Sequence, residues 1–288
     1  MTHTLLSLGH GYTAQALARR LLPAGWRVIG TTRSAEKAAA LRASGVEALV
    51  WPGADLAPAL TAASHVLASA GPGPQGDPFV PQIAPLLHLS AARWLGYLST
   101  TSVYGDHEGG WVDEDTPLDP GTERGRQRVL AERQWQVAAR EAGLALHIFR
   151  LAGIYGPGRG PFSKVRAGAA RRIVKPGQVF SRVHVEDIAT ALAASMAQPR
   201  AGAVYNLCDD DPAPPQDVIA HAAALLGLPE PPEVPFALAE LSPMARSFYA
   251  ESKRVRNDRI KTELGVQLRY PTYREGLAAL LAEEESAG

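Results

Sequence analysis

Thr4-Leu5-Leu6-Ser7-Leu8 runs directly into Gly9-His10-Gly11-Tyr12-Thr13-Ala14, and from Ala14 to Leu22 apolar residues recur at helical spacing. A short apolar strand, a glycine turn and a helix therefore follow one another without a gap. The turn matches G-x-G-x-x-[G/A]. In that pattern Gly9 makes the tight turn, Gly11 lets the backbone approach a pyrophosphate, and Ala14 is small enough for close helix–strand packing. The free N–H groups at the helix start add positive partial charge facing the phosphates. Gly9, His10, Gly11, Tyr12 and Thr13 are thus candidate dinucleotide contacts. The motif is weak alone, and its surroundings decide its meaning.

Those surroundings alternate. Arg27–Thr31, Val46–Val50, His65–Ser69, Trp94–Ser99, Leu144–Arg150 and Ala203–Leu207 read as further buried strands. Ala35–Ser44, Ile83–Ala92, Arg126–Ala142 and Pro215–Leu226 read as helices. Strands of about five residues separated by helices predict βαβ units and a parallel sheet. The expected fold class is α/β, a Rossmann-type doubly wound parallel sheet with a smaller C-terminal substrate lobe. Residues 1–155, with a returning segment 182–209, are expected to form the dinucleotide-binding domain. Residues 156–181 and 210–288 are expected to form the lobe, punctuated by Pro212, Pro214, Pro215, Pro229, Pro231, Pro232 and Pro235. Asp209-Asp210-Asp211 reads as a solvated turn after a strand, because no oxygen-ligand spacing follows it. Trp51, Trp94, Trp111 and Trp135 sit in separate elements and read as core or interface packing.

Composition narrows the function. Across 288 residues, 29 Lys+Arg balance 29 Asp+Glu, and 46% of the chain is hydrophobic. That excludes disorder as the main description. It also argues against nucleic-acid binding, since neither net charge nor a basic run neutralises phosphates. One cysteine, Cys208, cannot form an internal disulfide, and no Cys/His cluster has metal spacing, so no metal is expected. The first residues lack a basic n-region, and no window approaches the roughly 20 apolar residues of a membrane span. A cytoplasmic protein without a membrane partner is the expectation.

The second strand bears on the dinucleotide. An NAD site usually carries Asp or Glu about 20 residues beyond the loop, bonding the ribose 2′-OH. Here Val28-Ile29-Gly30-Thr31-Thr32-Arg33-Ser34 has no acid until Glu36. Arg33 and Ser34 stand where a 2′-phosphate lies, and a guanidinium holds a phosphate through two parallel bonds. NADP is therefore the preferred cofactor, with NAD as the alternative. In the competing reading Ser34 only caps the second helix and Arg33 is solvated.

Several ordered motifs then point one way. Ser99-Thr100-Thr101-Ser102-Val103-Tyr104-Gly105, Arg150-Leu151-Ala152-Gly153-Ile154-Tyr155-Gly156-Pro157-Gly158-Arg159, Arg182-Val183-His184-Val185-Glu186-Asp187-Ile188-Ala189 and Tyr205-Asn206-Leu207 follow one another along the chain. Over essentially its whole length the chain resembles the extended short-chain dehydrogenase/reductase superfamily, in its branch of NAD-dependent epimerases and dehydratases. The resemblance implies that Asp55 contacts adenine and that Ser69, Ala70 and Gly71 pass the cofactor ribose. It further implies that Thr100 orients a substrate oxygen, and that Tyr155, Arg159, Arg182 and His184 line the substrate site. Arg159 and Arg182 suit an anionic group such as a nucleotide diphosphate. The plainer alternative makes both arginines surface charges and packs Tyr155 in the core.

The departure lies at the chemistry. Relatives usually carry Tyr-x-x-x-Lys, often within Tyr-Gly-x-Ser-Lys-x-x-x-Glu. The matching stretch here is Arg124-Gly125-Arg126-Gln127-Arg128-Val129-Leu130-Ala131-Glu132. Gly125 and Glu132 keep the register, so Arg124 falls on the tyrosine and Arg128 on the lysine. A guanidinium with pKa above 12 does not exchange a proton at neutral pH as a tuned tyrosine does. Thr100, Arg124, Arg128 and Tyr104 are the candidate catalytic positions, with Tyr104 either a replacement acid or packing in the strand-end turn. The expected function is an oxidoreductase or epimerase acting on a small, nucleotide-sugar-like and anionic substrate. The alternative is a non-catalytic NADP-binding sensor or regulatory protein. A homodimer is compatible with either.

Overall fold

The computed structural model describes residues 3–287. Within them, seven parallel strands form one sheet, ordered Ala203–Leu207, Leu146–Leu151, Trp94–Thr100, His65–Ala68, Thr4–Leu8, Arg27–Thr32, Glu47–Val50. Thr4 pairs with Arg27 on one side, and Leu5 with His65 on the other. The strand order therefore reverses beside the first strand. A crevice opens there, at the carboxyl ends of the strands, which is where ligands bind in such sheets.

Both sheet faces are covered, which explains why the strands read as continuous apolar runs rather than alternating ones. On one face Leu17 and Leu21 of helix Tyr12–Leu21 pack with Ile188, Leu192 and Met196 of helix Val185–Ala197. On the other, Ala131, Trp135 and Ala138 of helix Glu123–Ala142 pack with Phe79, Ile83, Tyr97 and Ile148. That long helix begins three residues earlier than its apolar periodicity suggested. The Thr122 hydroxyl caps it, accepting from the Gly125 N–H at 3.1 Å, and Gly143 ends it at φ 67.

Other expectations need correction. The helix expected over Ile83–Ala92 is a short α-turn, Val80–Ile83, followed by a 3-10 turn, Ala84–Leu89. Pro81 and Pro85 lack the N–H groups that a continuous α-helix requires. A third apolar cluster joins Tyr155, Phe162 and Val165 to Ala222, Tyr273, Leu277 and Leu280. Val255, Ile260, Leu264 and Val266, by contrast, pack with the sheet. Asp209 is buried, while its neighbours pair outward: Asp210 with Lys261 and Asp211 with Arg274. Trp111 is half exposed beneath the Arg256 guanidinium rather than in the core.

Candidate active site

The glycine turn is held from both sides. Gly9 has φ 81, and its N–H donates to Thr31 Oγ1 at 2.7 Å, while the His10 N–H donates to the Thr31 carbonyl at 2.8 Å. A Cβ on Gly9 would come within 2.9 Å of Ala70 N, so this position admits only glycine. A Cβ on Gly11 would meet nothing nearer than the Gly9 carbonyl at 3.8 Å, so Gly11 opens onto the crevice. Beyond it, Gly11, Tyr12, Thr13, Ser69, Thr100, Arg128 and Arg159 line a cavity of about 260 Å³. The Ser69 hydroxyl donates to the Gly9 carbonyl at 2.6 Å. A bare-backbone cradle at a helix start fits a dinucleotide pyrophosphate.

His10 serves the turn rather than the cleft. Its ring is buried against Gly30, where a Cβ would approach it to 2.7 Å, and burial pulls its pKa down to about 4. Arg33 is exposed just past strand Arg27–Thr32. The Ser34 hydroxyl caps helix Ala35–Ala43, accepting from the Lys37 N–H at 3.3 Å. The capping reading of Ser34 is thus realised, and Arg33 is the more open of the two. Asp55 Oδ1 accepts from the Ala57 N–H at 3.0 Å and so holds the start of the next helix.

The crevice continues into a larger cavity of about 610 Å³, and Thr100 and Arg128 line both. Arg128 is fixed by donating to the Leu98 carbonyl at 2.7 Å and to Tyr97 Oη at 3.1 Å. Thr100 Oγ1 accepts from the Ser102 N–H at 3.3 Å, capping the following 3-10 turn at the mouth of the cavity. Arg124 is exposed on the larger cavity's wall, 5.7 Å from the centre of the Phe248 ring. Between the two arginines Gly125 is wedged under Pro120 and Ser102, where a Cβ would come within 2.8 Å of each. That packing seats the first turn of the helix, so positions 124 and 128 both face the cleft.

The remaining candidates divide. Tyr155 and Arg182 line the larger cavity. The Tyr155 hydroxyl is buried toward Gly276 without a partner, and desolvation raises its pKa. One Arg182 nitrogen donates to the Phe180 and Ala213 carbonyls, at 2.9 and 3.0 Å. Tyr104 does not reach either cavity. Its buried hydroxyl donates to Asn206 at 2.7 Å and accepts from Arg150 at 3.0 Å, and burial pushes its pKa up to about 12. His184 is a helix cap, accepting from the Glu186 N–H at 3.2 Å through Nδ1, and is buried beside Tyr155 and Tyr270. Arg159 lies at the glycine-turn end rather than in the larger cavity.

Among the larger-wall residues that sequence reasoning missed are Tyr249, Glu251 and Lys253. Lys253 and Glu251 form a buried ion pair at 2.7 Å. No motif marks them, and the only clue was a lysine in a chain with five lysines and 24 arginines. Among the described residues, no cluster of His, Cys, Asp or Glu is placed to hold a metal, and no helix is long and apolar enough to cross a membrane.

Comparison with known proteins gives the chain's family and its fold relatives. Residues 83–208 match the model of the NAD dependent epimerase/dehydratase family. Protein YeeZ of Escherichia coli K12 is 31% identical over 280 residues, covering 92% of this chain and 95% of YeeZ. The chain belongs to the NAD dependent epimerase/dehydratase family. A functionally unknown conserved protein from Silicibacter pomeroyi DSS is 61% identical, with TM-score 0.92 over 99% of this chain and 100% of that one. The UDP-glucuronic acid 4-epimerase of Bacillus cereus, solved with UDP-glucuronic acid and NAD, shares the fold at TM-score 0.80 and 17% identity, over 99% and 100% of the two chains.

Proposed function

We propose that this family member is an NADP(H)-binding oxidoreductase or epimerase acting on a small anionic substrate, nucleotide-sugar-like in its charge, without the usual tyrosine acid. The observation that carries the reading is the joint placement of Thr100, Arg124 and Arg128 along one continuous cleft that starts at the glycine turn. A nicotinamide cofactor supplies hydride exchange when bound. Gly11 and the first N–H groups of helix Tyr12–Leu21 hold its phosphates, and Arg33 meets the 2′-phosphate with no opposing carboxylate. Arg128, anchored on Leu98 and Tyr97, lines both cavities where they meet. Thr100 orients a substrate oxygen there. Arg124 and Arg182 attract the substrate's anionic group, and the pairing of Glu251 with Lys253 leaves the wall net cationic.

Arg124 also supports a second reading, a non-catalytic NADP-binding sensor, because a guanidinium in the tyrosine's register cannot donate a proton at neutral pH. One experiment separates them. Calorimetry with NADP(H) and NAD(H) is followed by NADPH consumption against nucleotide sugars and small carbonyl acids, and by product analysis of nucleotide sugars incubated with NADP+, since an epimerase returns its hydride and consumes no net cofactor. Tighter NADP(H) binding with turnover of an anionic compound supports the enzyme. Tight binding with no turnover across the panel supports the sensor, and equal affinity for the two cofactors removes the NADP assignment.

A further inference from the structure

The turn Gly156–Arg159 comes from the segment after the sixth sheet strand, yet it is fastened to the first residue of the glycine-loop helix. The Gly156 N–H donates to the Arg159 carbonyl at 3.3 Å, and the Arg159 N–H donates back to the Gly156 carbonyl at 2.8 Å. Tyr12 Oη donates to the Pro157 carbonyl at 3.0 Å. Tyr12 packs so closely that a Cβ on Gly156 would come within 2.5 Å of its hydroxyl. Gly156 has φ 152, so the tight fit and the backbone both require glycine. The Arg159 guanidinium lies over the Tyr12 ring, 4.2 Å from its centre, and is exposed on the wall that it shares with Gly11 and Thr13. It is recorded in no ion pair among the described residues. A planar cation stacked on an aromatic ring keeps its donor edge free, and that edge suits paired phosphate oxygens.

We propose that Arg159 is a cofactor residue, a clamp on the dinucleotide pyrophosphate held in place by Tyr12, and not a substrate contact. The clamp rests on dinucleotide binding and is independent of the NADP preference. Because its turn follows strand Gly153–Tyr155, which pairs with Arg182–His184, it ties the cofactor phosphates to the wall of the larger cavity.

Arg159→Gln and Arg159→Lys, in the full chain, are titrated calorimetrically with NADP+, NAD+ and ADP-ribose, and by competition with 2′-AMP, which lacks the pyrophosphate. The Gln variant should lose roughly tenfold in affinity for each of the three pyrophosphate ligands, judged from charge-assisted bonds. The loss should shrink at high salt, Lys should restore part of it, and 2′-AMP should bind as to the wild type. Affinities for the three within twofold of wild type would overturn the clamp. A matching loss for 2′-AMP would overturn it too, since that marks a general distortion. Thermal unfolding of Arg159→Gln near the wild-type midpoint supports a local role. Equal wild-type affinities for NADP+ and NAD+ count against the NADP reading alone and leave the clamp standing.

Discussion

Arg150 and Glu132 form a two-bond ion pair in the protein interior, at 3.2 and 3.0 Å, with both side chains almost wholly excluded from solvent. The same carboxylate accepts from the Ser99 hydroxyl at 2.5 Å, and the same guanidinium donates to Tyr104 at 3.0 Å. The pair therefore locks the end of strand Trp94–Thr100 against helix Glu123–Ala142, the two elements that carry Thr100 and both cleft arginines. Removing one partner of a buried pair leaves an uncompensated charge, at a cost of about 3–5 kcal/mol. Glu132→Gln should lose stability on that scale in urea unfolding. Replacing both residues by methionine should lose less, and a larger loss in the double variant would contradict this account.

Arg33 sets the expected cofactor choice. Arg33→Ala should lose about 1–3 kcal/mol of NADP(H) binding, the worth of a charged hydrogen bond. NAD(H) binding should stay at its wild-type value, because its 2′-hydroxyl carries no charge for Arg33 to meet. Parallel calorimetric titrations check this, and an equal loss for both cofactors would show that Arg33 acts elsewhere.

Much of the cleft was legible because its signals are local. The strand Thr4–Leu8 and the turn after it were readable from glycine spacing, and the cleft-facing places of Arg124 and Arg128 followed from Gly125 and Glu132. A motif fixes a residue's position on its element and not the partner that turns its side chain, so Tyr104 and His184 line neither cavity and Arg159 lines the smaller one. Asn206, the Glu186 N–H and Tyr12 turn these side chains from 102, 2 and 147 positions away. Asp209 was read as part of a solvated turn because no oxygen-ligand spacing follows it, yet it is folded back beside Arg182, whose carbonyl accepts from its N–H at 2.6 Å. Glu251 and Lys253 reach the cleft from an irregular segment with no periodic signal.

Arg124 should contribute to ligand binding and little to stability. It is exposed, and its neighbour on the cavity wall is the Phe248 ring rather than a carboxylate. Arg124→Ala should weaken binding of UDP-glucuronic acid or another anionic ligand in a salt-dependent way, while the thermal midpoint moves little. Any turnover should keep its pH profile in the variant. Ligand affinity and salt dependence both unchanged would remove Arg124 from the site.

Buried titratable groups should give stability two opposite pH dependences. Burial holds His10, His65, His147 and His184 each at about 4, below the usual 6.5. An unfolded chain therefore takes up protons on these rings that the folded one refuses. Their contribution is complete above about pH 6.5 and is lost as pH falls toward 4. Asp209 runs the other way. Burial raises it from 3.8 to about 8 against the pull of Arg182, so the folded protein keeps a proton that the unfolded chain releases. Its contribution is complete below about pH 3.8 and is lost as pH rises through 8. Single variants isolate each slope from any constant change in packing. Measured by urea unfolding from pH 4 to 9, Asp209→Asn should gain on the wild type steadily as pH rises from 4 to 8. His10→Asn should gain on it as pH falls from 6.5 to 4, whatever its fixed packing loss beside Gly30. Parallel curves for Asp209→Asn and wild type across that range would mean that Asp209 is ionised in the folded protein, with Arg182 outweighing its desolvation.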